Sequence, residues 1–236
     1  MRADDLESLS ANGILAALPA GELRRLAQDG DLHEMERGDV VQEIGDPLAR
    51  VVFPLGCLVS MTVELADGTR VESTTIGREG FAGLPVFFGA HTATLRAEVK
   101  VAGRALIVEG DEFRRQLEQS SRLCNLLGRY TELLFLEAAQ VNACSRAHTV
   151  AERCMRWLLT ATDQIGTETI TTSQAALAQE LGIRRASVTR ALNGLEQAGL
   201  ISVRRGRLAV SDRPGLRAAA CECYAAISEQ YQRTAW

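Results

Sequence analysis

Histidine is scarce in this chain of 236 residues: the 3 that occur, His33, His91 and His148, stand alone in the sequence. Metal-dependent oxygenases and isomerases need clustered imidazoles and carboxylates, so that class is set aside. No Ser-His-Asp or Cys-His arrangement with a telling local motif takes its place. Cysteine is also sparse, 6 thiols at positions 57, 124, 144, 154, 221 and 223, with no CxxC pair. Cys221 and Cys223 read as near neighbours on a helix that point to different faces, a poor chelate or bridge. The thiols are therefore expected to be reduced packing groups, with a redox role for Cys221 or Cys223 left open. Long apolar runs are missing too, because Glu137 or a glycine interrupts each one well before membrane length. The opening Met1-Arg2-Ala3-Asp4-Asp5 lacks the apolar stretch of a signal peptide. These absences predict a cytoplasmic protein that is no enzyme and carries no metal and no cofactor.

What is present is an ordinary globular composition, 46% apolar and 24% charged, in a chain long enough for two modest cores. The formal net charge is -4, yet positive charge is segregated. Between positions 182 and 217 stand Arg184, Arg185, Arg190, Arg204, Arg205, Arg207, Arg213 and Arg217, against Glu196 and Asp212 alone. Such a patch is the electrostatic footprint of a phosphate-binding face.

The same stretch has the pattern of a winged helix-turn-helix. Thr172 or Ser173 can cap a helix over 174–180 with Ala175, Leu177, Ala178 and Leu181 at helical spacing, and Gly182 ends it. Ile183, Val188, Leu192 and Leu195 then give a second helix an apolar face, leaving Arg184, Arg185, Ser187, Thr189, Arg190 and Asn193 on other faces. Such a helix fits a major groove. Leu200-Ile201-Ser202-Val203 and Leu208-Ala209-Val210 read as strands around the basic turn Arg204-Arg205-Gly206-Arg207, the wing. The alternative is a helical hairpin with a solvated basic face.

Earlier in the chain, residues 5–28 form two short helical pieces broken at Pro19. Short alternating segments (40–42, 51–53, 58–65, 71–76, 94–101, 105–108) then alternate with glycine turns, which argues for a small β-sandwich or roll. Residues 111–146 permit a long helix after an N-terminal piece over 111–118, with Leu123, Leu127, Tyr130, Leu134 and Val141 as a coiled-coil seam toward a second subunit; the alternative is that this stripe and the next are both core of the one chain. Leu126, Leu133 and Leu136 form a second stripe toward the chain's own roll, and residues 142–148 a hinge. A helix from Thr149 begins the DNA module, and one from Asp212 closes the chain.

The run Leu181-Gly182-Ile183-Arg184-Arg185-Ala186-Ser187-Val188-Thr189-Arg190-Ala191-Leu192, followed by Leu195-Glu196-Gln197-Ala198-Gly199-Leu200-Ile201, closely resembles the signature of the CRP/FNR family of bacterial transcription regulators. The resemblance implies an α+β chain. An N-terminal β-roll of the cyclic-nucleotide-binding jelly-roll kind (1–118) is followed by a long dimerisation helix and hinge (119–147) and a C-terminal winged helix-turn-helix (148–236). It implies that Arg185 grips guanine and that Arg190 is a second base-contacting residue. Ser187 stands for the family's Thr, and Arg184 replaces a small hydroxyl residue. Thr172, Ser173 and Gln174 resemble the backbone-clamping start of the first helix; Arg204, Arg205 and Arg207 fall where flanking phosphates are touched. Ala186 occupies the place of the acidic residue that accepts from cytosine, so the family's usual half-site does not carry over.

In nucleotide-binding members a Phe-x-Gly-Glu segment and a later Arg hold the ribose and the cyclic phosphate. Here the segment is Phe81-Ala82-Gly83-Leu84-Pro85 and the candidate Arg is Arg96, so Gly83, Leu84 and Arg96 mark the expected effector pocket. Leu84 cannot make a carboxylate's hydrogen bonds, at about 1–3 kcal/mol for each one unmade, which argues against ordinary cyclic-AMP binding. The N-terminal cysteine cluster of iron-sulfur members is absent, since Cys57 is the first thiol. The expectation is a homodimeric, sequence-specific regulator of double-stranded DNA, working with RNA polymerase. The alternative is a small-molecule sensor whose basic helical module docks a protein partner.

Overall fold

The computed structural model describes residues 3–68 and 70–233, which divide into two units. The first takes the described residues up to Thr62 and Thr75–Glu132; the second takes Val63–Thr74 and the chain from Leu133 on.

The first unit opens with α1 (Ala3–Leu9), α2 (Gly13–Ala16) and α3 (Ala20–Gln28), three helical pieces where the sequence suggests two. Asn12 is the reason. Its side-chain oxygen accepts from the Ile14 and Leu15 amides and starts α2, while its Nδ2 donates to the carbonyls of Pro54 (3.0 Å) and Gly80 (2.8 Å). A buried amide so fully partnered pins the helical pieces to the strands.

The strands are β1 (Gly30–Met35), β2 (Val40–Gln42), β3 (Arg50–Pro54), β4 (Leu58–Glu64), β5 (Arg70–Ile76), β6 (Arg96–Val101) and β7 (Gly103–Glu109), with a short α4 (Leu84–Phe87) before β6. They form two sheets, in the orders β1-β7-β3 and β2-β6-β4-β5, the roll that the alternating segments predict. Its core is aromatic: Phe53, Phe81, Phe113 and Tyr130 are fully buried, with neighbouring ring centroids 5.6 to 6.1 Å apart. Side chains of this size each contribute roughly 1.5–3 kcal/mol on burial. Phe113 comes from α5 (Gly110–Gln119) and Tyr130 from α6 (Ser121–Ala147).

That packing corrects the seam. Leu123, Leu127, Tyr130 and Leu134, expected to face a second subunit, are buried within one chain, as are Leu126 and Leu133. Val141 is half-buried. Periodicity reports that a helix face is apolar and is silent on what covers it. The exposed face of α6 instead runs through Asn125, Glu132, Phe135, Ala139 and Asn142, with Phe135 73% exposed.

In the second unit, α6 continues to Ala147, so of the hinge expected over 142–148 all but His148 is helical, and the link to the next helix is His148-Thr149. Thr149 then caps α7 (Val150–Ile165) through a capping box: its hydroxyl accepts from the Glu152 amide and the Glu152 carboxylate accepts from the Thr149 amide at 2.8 Å. The remaining elements are β8 (Thr169–Thr171), α8 (Gln174–Glu180), α9 (Arg185–Gln197), β9 (Ile201–Arg204), β10 (Arg207–Val210), α10 (Arg213–Ala219) and α11 (Glu222–Arg233). β8 adds a third strand to the wing, in the order β8-β10-β9. The tail, expected as one helix, breaks at Ala220, whose ψ of 156° is extended.

Candidate nucleic-acid interface

The reading helix α9 is held from behind. Val188, Leu192 and Leu195 are buried, and the helix packs on α7 and α8. Gly182, at φ +62°, makes the turn between α8 and α9 in the left-handed region that L side chains rarely adopt. The Arg153 guanidinium on α7 donates to the Leu181 carbonyl, satisfying the end of α8.

What α9 leaves outward is donor-rich. Arg184, its N-cap, and Arg185, Arg190 and Asn193 are exposed; Ser187 and Thr189 are half-buried. No acidic residue lies in the first turn, so the positive end of the helix dipole adds to the two arginines. Ala186 is exposed among them, an apolar position where an acceptor would read cytosine.

Ser173 is the N-cap of α8, accepting from the Ala176 amide at 3.1 Å, and keeps its hydroxyl proton to give. Thr189 Oγ1 donates to Gln174 Oε1 at 2.6 Å, which ties α9 to the start of α8 and leaves the Gln174 amide nitrogen as a donor for an anion. Thr172, expected beside them, is buried at 5% exposure and presents no side chain to a ligand.

Behind the reader stands the wing, with Arg204, Arg205 and Arg207 exposed. Its turn is Arg205-Gly206, at φ +44° and +79°, the two positive values of a tight hairpin whose twist matches its strands. Arg205 is the one non-glycine residue with positive φ among those described, held where Asn or Gly is the usual choice.

The acids of this stretch are spent internally. Glu196 Oε1 accepts from the Val203 amide at 3.0 Å, joining the end of α9 to the wing, and Asp212 caps α10 by accepting from the Gly215 amide at 2.9 Å. Neither opposes the arginine face. Arg213, counted in the basic run, belongs elsewhere: it pairs with Asp163 and, at 3.0 Å, with Glu168. Arg217 lies over the Tyr224 ring, 5.8 Å from its centroid.

In the roll, Gly83 precedes α4 and Leu84 opens it. Arg96 on β6 is 12% exposed and pairs with Glu43 and, at 3.0 Å, with Glu98, which also takes Lys100 at 3.0 Å. Against the effect of burial, the bonds from Lys100 and Arg96 hold the Glu98 carboxyl below its usual range. A guanidinium already engaged by two carboxylates would have to exchange them to hold a phosphate.

One further grouping is absent from the sequence reading: Cys144, His148, Cys221 and Cys223 converge, with their ligand-type atoms within 4.8 Å of one another. The expectation that the histidines stand alone, and that Cys221 and Cys223 share a helix, does not hold for this group. The tail breaks between α10 and α11, and the residues are brought together across more than 70 positions of sequence, which no local motif signals.

Residues 152–219 match the family described as the Crp-like helix-turn-helix domain. Comparison with curated protein sequences finds no match. Among solved structures the fold is similar to FixK2 of Bradyrhizobium japonicum (TM-score 0.69, 16% identity, covering 81% of this chain and 98% of that one). It is also similar to CLP of Xanthomonas campestris, described as a c-di-GMP responsive global regulator (0.65, 18%, 82% and 100%). A third is TTHA1359 of Thermus thermophilus, a CRP/FNR family regulator (0.62, 20%, 80% and 97%).

Proposed function

We propose, from the match of residues 152–219 to the Crp-like helix-turn-helix domain and the likeness of the fold to CRP/FNR family structures, that this chain is a sequence-specific DNA-binding transcription regulator acting as a homodimer. The observation that carries the reading is the division of charge on the reader: Arg184, Arg185 and Arg190 project outward while Glu196 and Asp212 are tied up internally. On this reading Arg185 and Arg190 address base edges. Arg204, Arg205 and Arg207 bind flanking phosphates, and Ser173 and Gln174 clamp the backbone.

A two-fold dimer would place two such readers about 34–36 Å apart, on half-sites one helical turn from each other. The exposed face of α6 around Phe135 is the surface we assign to that contact. The paired state of Arg96 and the presence of Leu84 favour a protein that works without cyclic AMP.

Selection of bound sequences from a random DNA pool tests this, run without nucleotide, with cyclic AMP and with cyclic di-GMP. The reading expects a palindrome enriched in the nucleotide-free arm. Enrichment with cyclic AMP alone would overturn the account of the roll. Equal, weak binding of all sequences in every arm would favour a module that docks protein instead.

A further inference from the structure

Four side chains in the second unit point at one spot. Cys144 is in the last turn of α6, His148 is the first of the two residues between α6 and α7, Cys221 lies between α10 and α11, and Cys223 is in the first turn of α11. The Cys144 and Cys221 sulfurs are 3.8 Å apart, and Cys223 Sγ is 3.6 Å from His148 Nδ1. Tetrahedral zinc, with Zn–S of about 2.3 Å and Zn–N of about 2.0–2.1 Å, has S···S edges of about 3.8 Å and S···N edges of about 3.6 Å. A disulfide would need sulfurs at about 2.05 Å. No pair of ligand atoms in the cluster is more than 4.8 Å apart, so closing onto one ion takes about an ångström at most along the longest edge.

The surroundings match such a site as well. His148 Nε2 lies 3.2 Å from the Glu222 carboxylate, a contact that favours the tautomer with its proton on Nε2 and the Nδ1 lone pair toward the thiols. This carboxylate–histidine arrangement recurs behind metal-ligating imidazoles. Gln140 Nε2 donates to Cys223 Sγ at 3.1 Å, a bond that a thiolate accepts better than a thiol. Three thiolates and one divalent ion leave one negative charge, and the buried Arg156 guanidinium lies near enough to act on Cys144.

We propose that Cys144, His148, Cys221 and Cys223 form a mononuclear tetrahedral site for a zinc-class divalent metal ion, fastening the α6–α7 link to the α10–α11 junction. Binding displaces the thiol protons to solvent and changes no oxidation state. The site stands apart from the DNA-binding reading, and its test does not use DNA.

The full-length protein is stripped of metal under reducing conditions, checked for its fold by circular dichroism, and titrated with Co2+ and then Zn2+. Expected are one Co2+ per chain with the ligand-field and thiolate charge-transfer bands of a tetrahedral site, displacement of Co2+ by one Zn2+, and a raised Tm. Cys223→Ser and His148→Ala should each lose at least about tenfold in affinity, and Glu222→Gln about tenfold, within the range for outer-shell partners. Cys124→Ser, whose thiol bonds the Leu117 carbonyl instead, should bind as the parent does. Three results would overturn the proposal: a folded, reduced protein that takes up no stoichiometric Co2+, a sulfide-containing chromophore, or equal losses for Cys124→Ser and Cys223→Ser.

Discussion

Arg205 sits at the tip of the wing with φ +44°, a conformation that costs a side-chain-bearing residue about 1 kcal/mol. On the proposed reading a phosphate contact accounts for an arginine there, since the backbone alone would favour glycine or asparagine. Arg205→Gly should therefore raise folding stability by about 1 kcal/mol in urea denaturation while weakening binding to all DNA sequences alike. The slope of log K against log salt should fall by about one. A variant that binds as well as its parent would remove the phosphate role. A second residue-scale test concerns Glu137, whose carboxyl is wholly buried and accepts from the Tyr231 hydroxyl at 2.6 Å. Burial raises it above the ordinary value of 4.5, against the pull of Tyr231 and of Arg156. The native state thus holds this proton above pH 4.5 where the unfolded chain has lost it, so the group's contribution to stability falls as pH rises through the folded value. Glu137→Gln keeps an acceptor for Tyr231 and should flatten that decline. The checking measurement is the difference in denaturation midpoint between variant and parent at about pH 5 and about pH 8, which should grow with pH.

At the scale of elements, Glu196 ties α9 to the wing, and on the proposed reading the two divide the work of recognition. Arg185→Ala should relax base preference and cost about 1–3 kcal/mol on the selected site with little change on scrambled DNA, read by competition binding. Equal losses on both would assign Arg185 to phosphate. These elements were legible in the sequence because each carries a local signal: the apolar spacing of Val188, Leu192 and Leu195, the glycine at 182, the basic turn between two strands. The seam on α6 was not. Leu123, Leu127 and Tyr130 have the spacing of a coiled coil, yet they are buried within the same chain, where Tyr130 meets Phe81, a partner that periodicity cannot name. The tail failed for a related reason. Nothing in Arg217-Ala218-Ala219-Ala220-Cys221-Glu222 announces a break, and tertiary packing overrides the helix propensity of the alanines. Thr172 and Ser173 are interchangeable as caps in sequence; only the structure shows that one is buried and the other caps.

For the whole molecule, a chain of formal charge -4 that binds DNA must do so through a local field, so its affinity should depend steeply on salt despite the unfavourable total. Assembly is the other property of this scale. Phe135 is the most exposed large apolar side chain among the described residues, midway along a 27-residue helix whose other apolar positions are largely covered. We therefore place the proposed dimer contact at Phe135. Phe135→Asp should shift the protein from dimer to monomer in sedimentation at micromolar concentration and lower affinity for a palindrome far more than for a half-site. A dimer that survives the change would place the interface elsewhere.

His148 has a consequence for how movement is passed along the chain. Only His148 and Thr149 separate α6 from α7, and Thr149 is fixed as the N-cap, which leaves little slack in which a twist could be absorbed. On the regulatory reading the two helices would act like shafts joined by a stiff coupling rather than by a cord. A turn of the end of α6 about its own axis would arrive at α7, and through the packing of α7 on α9 at the reading helix, as torque.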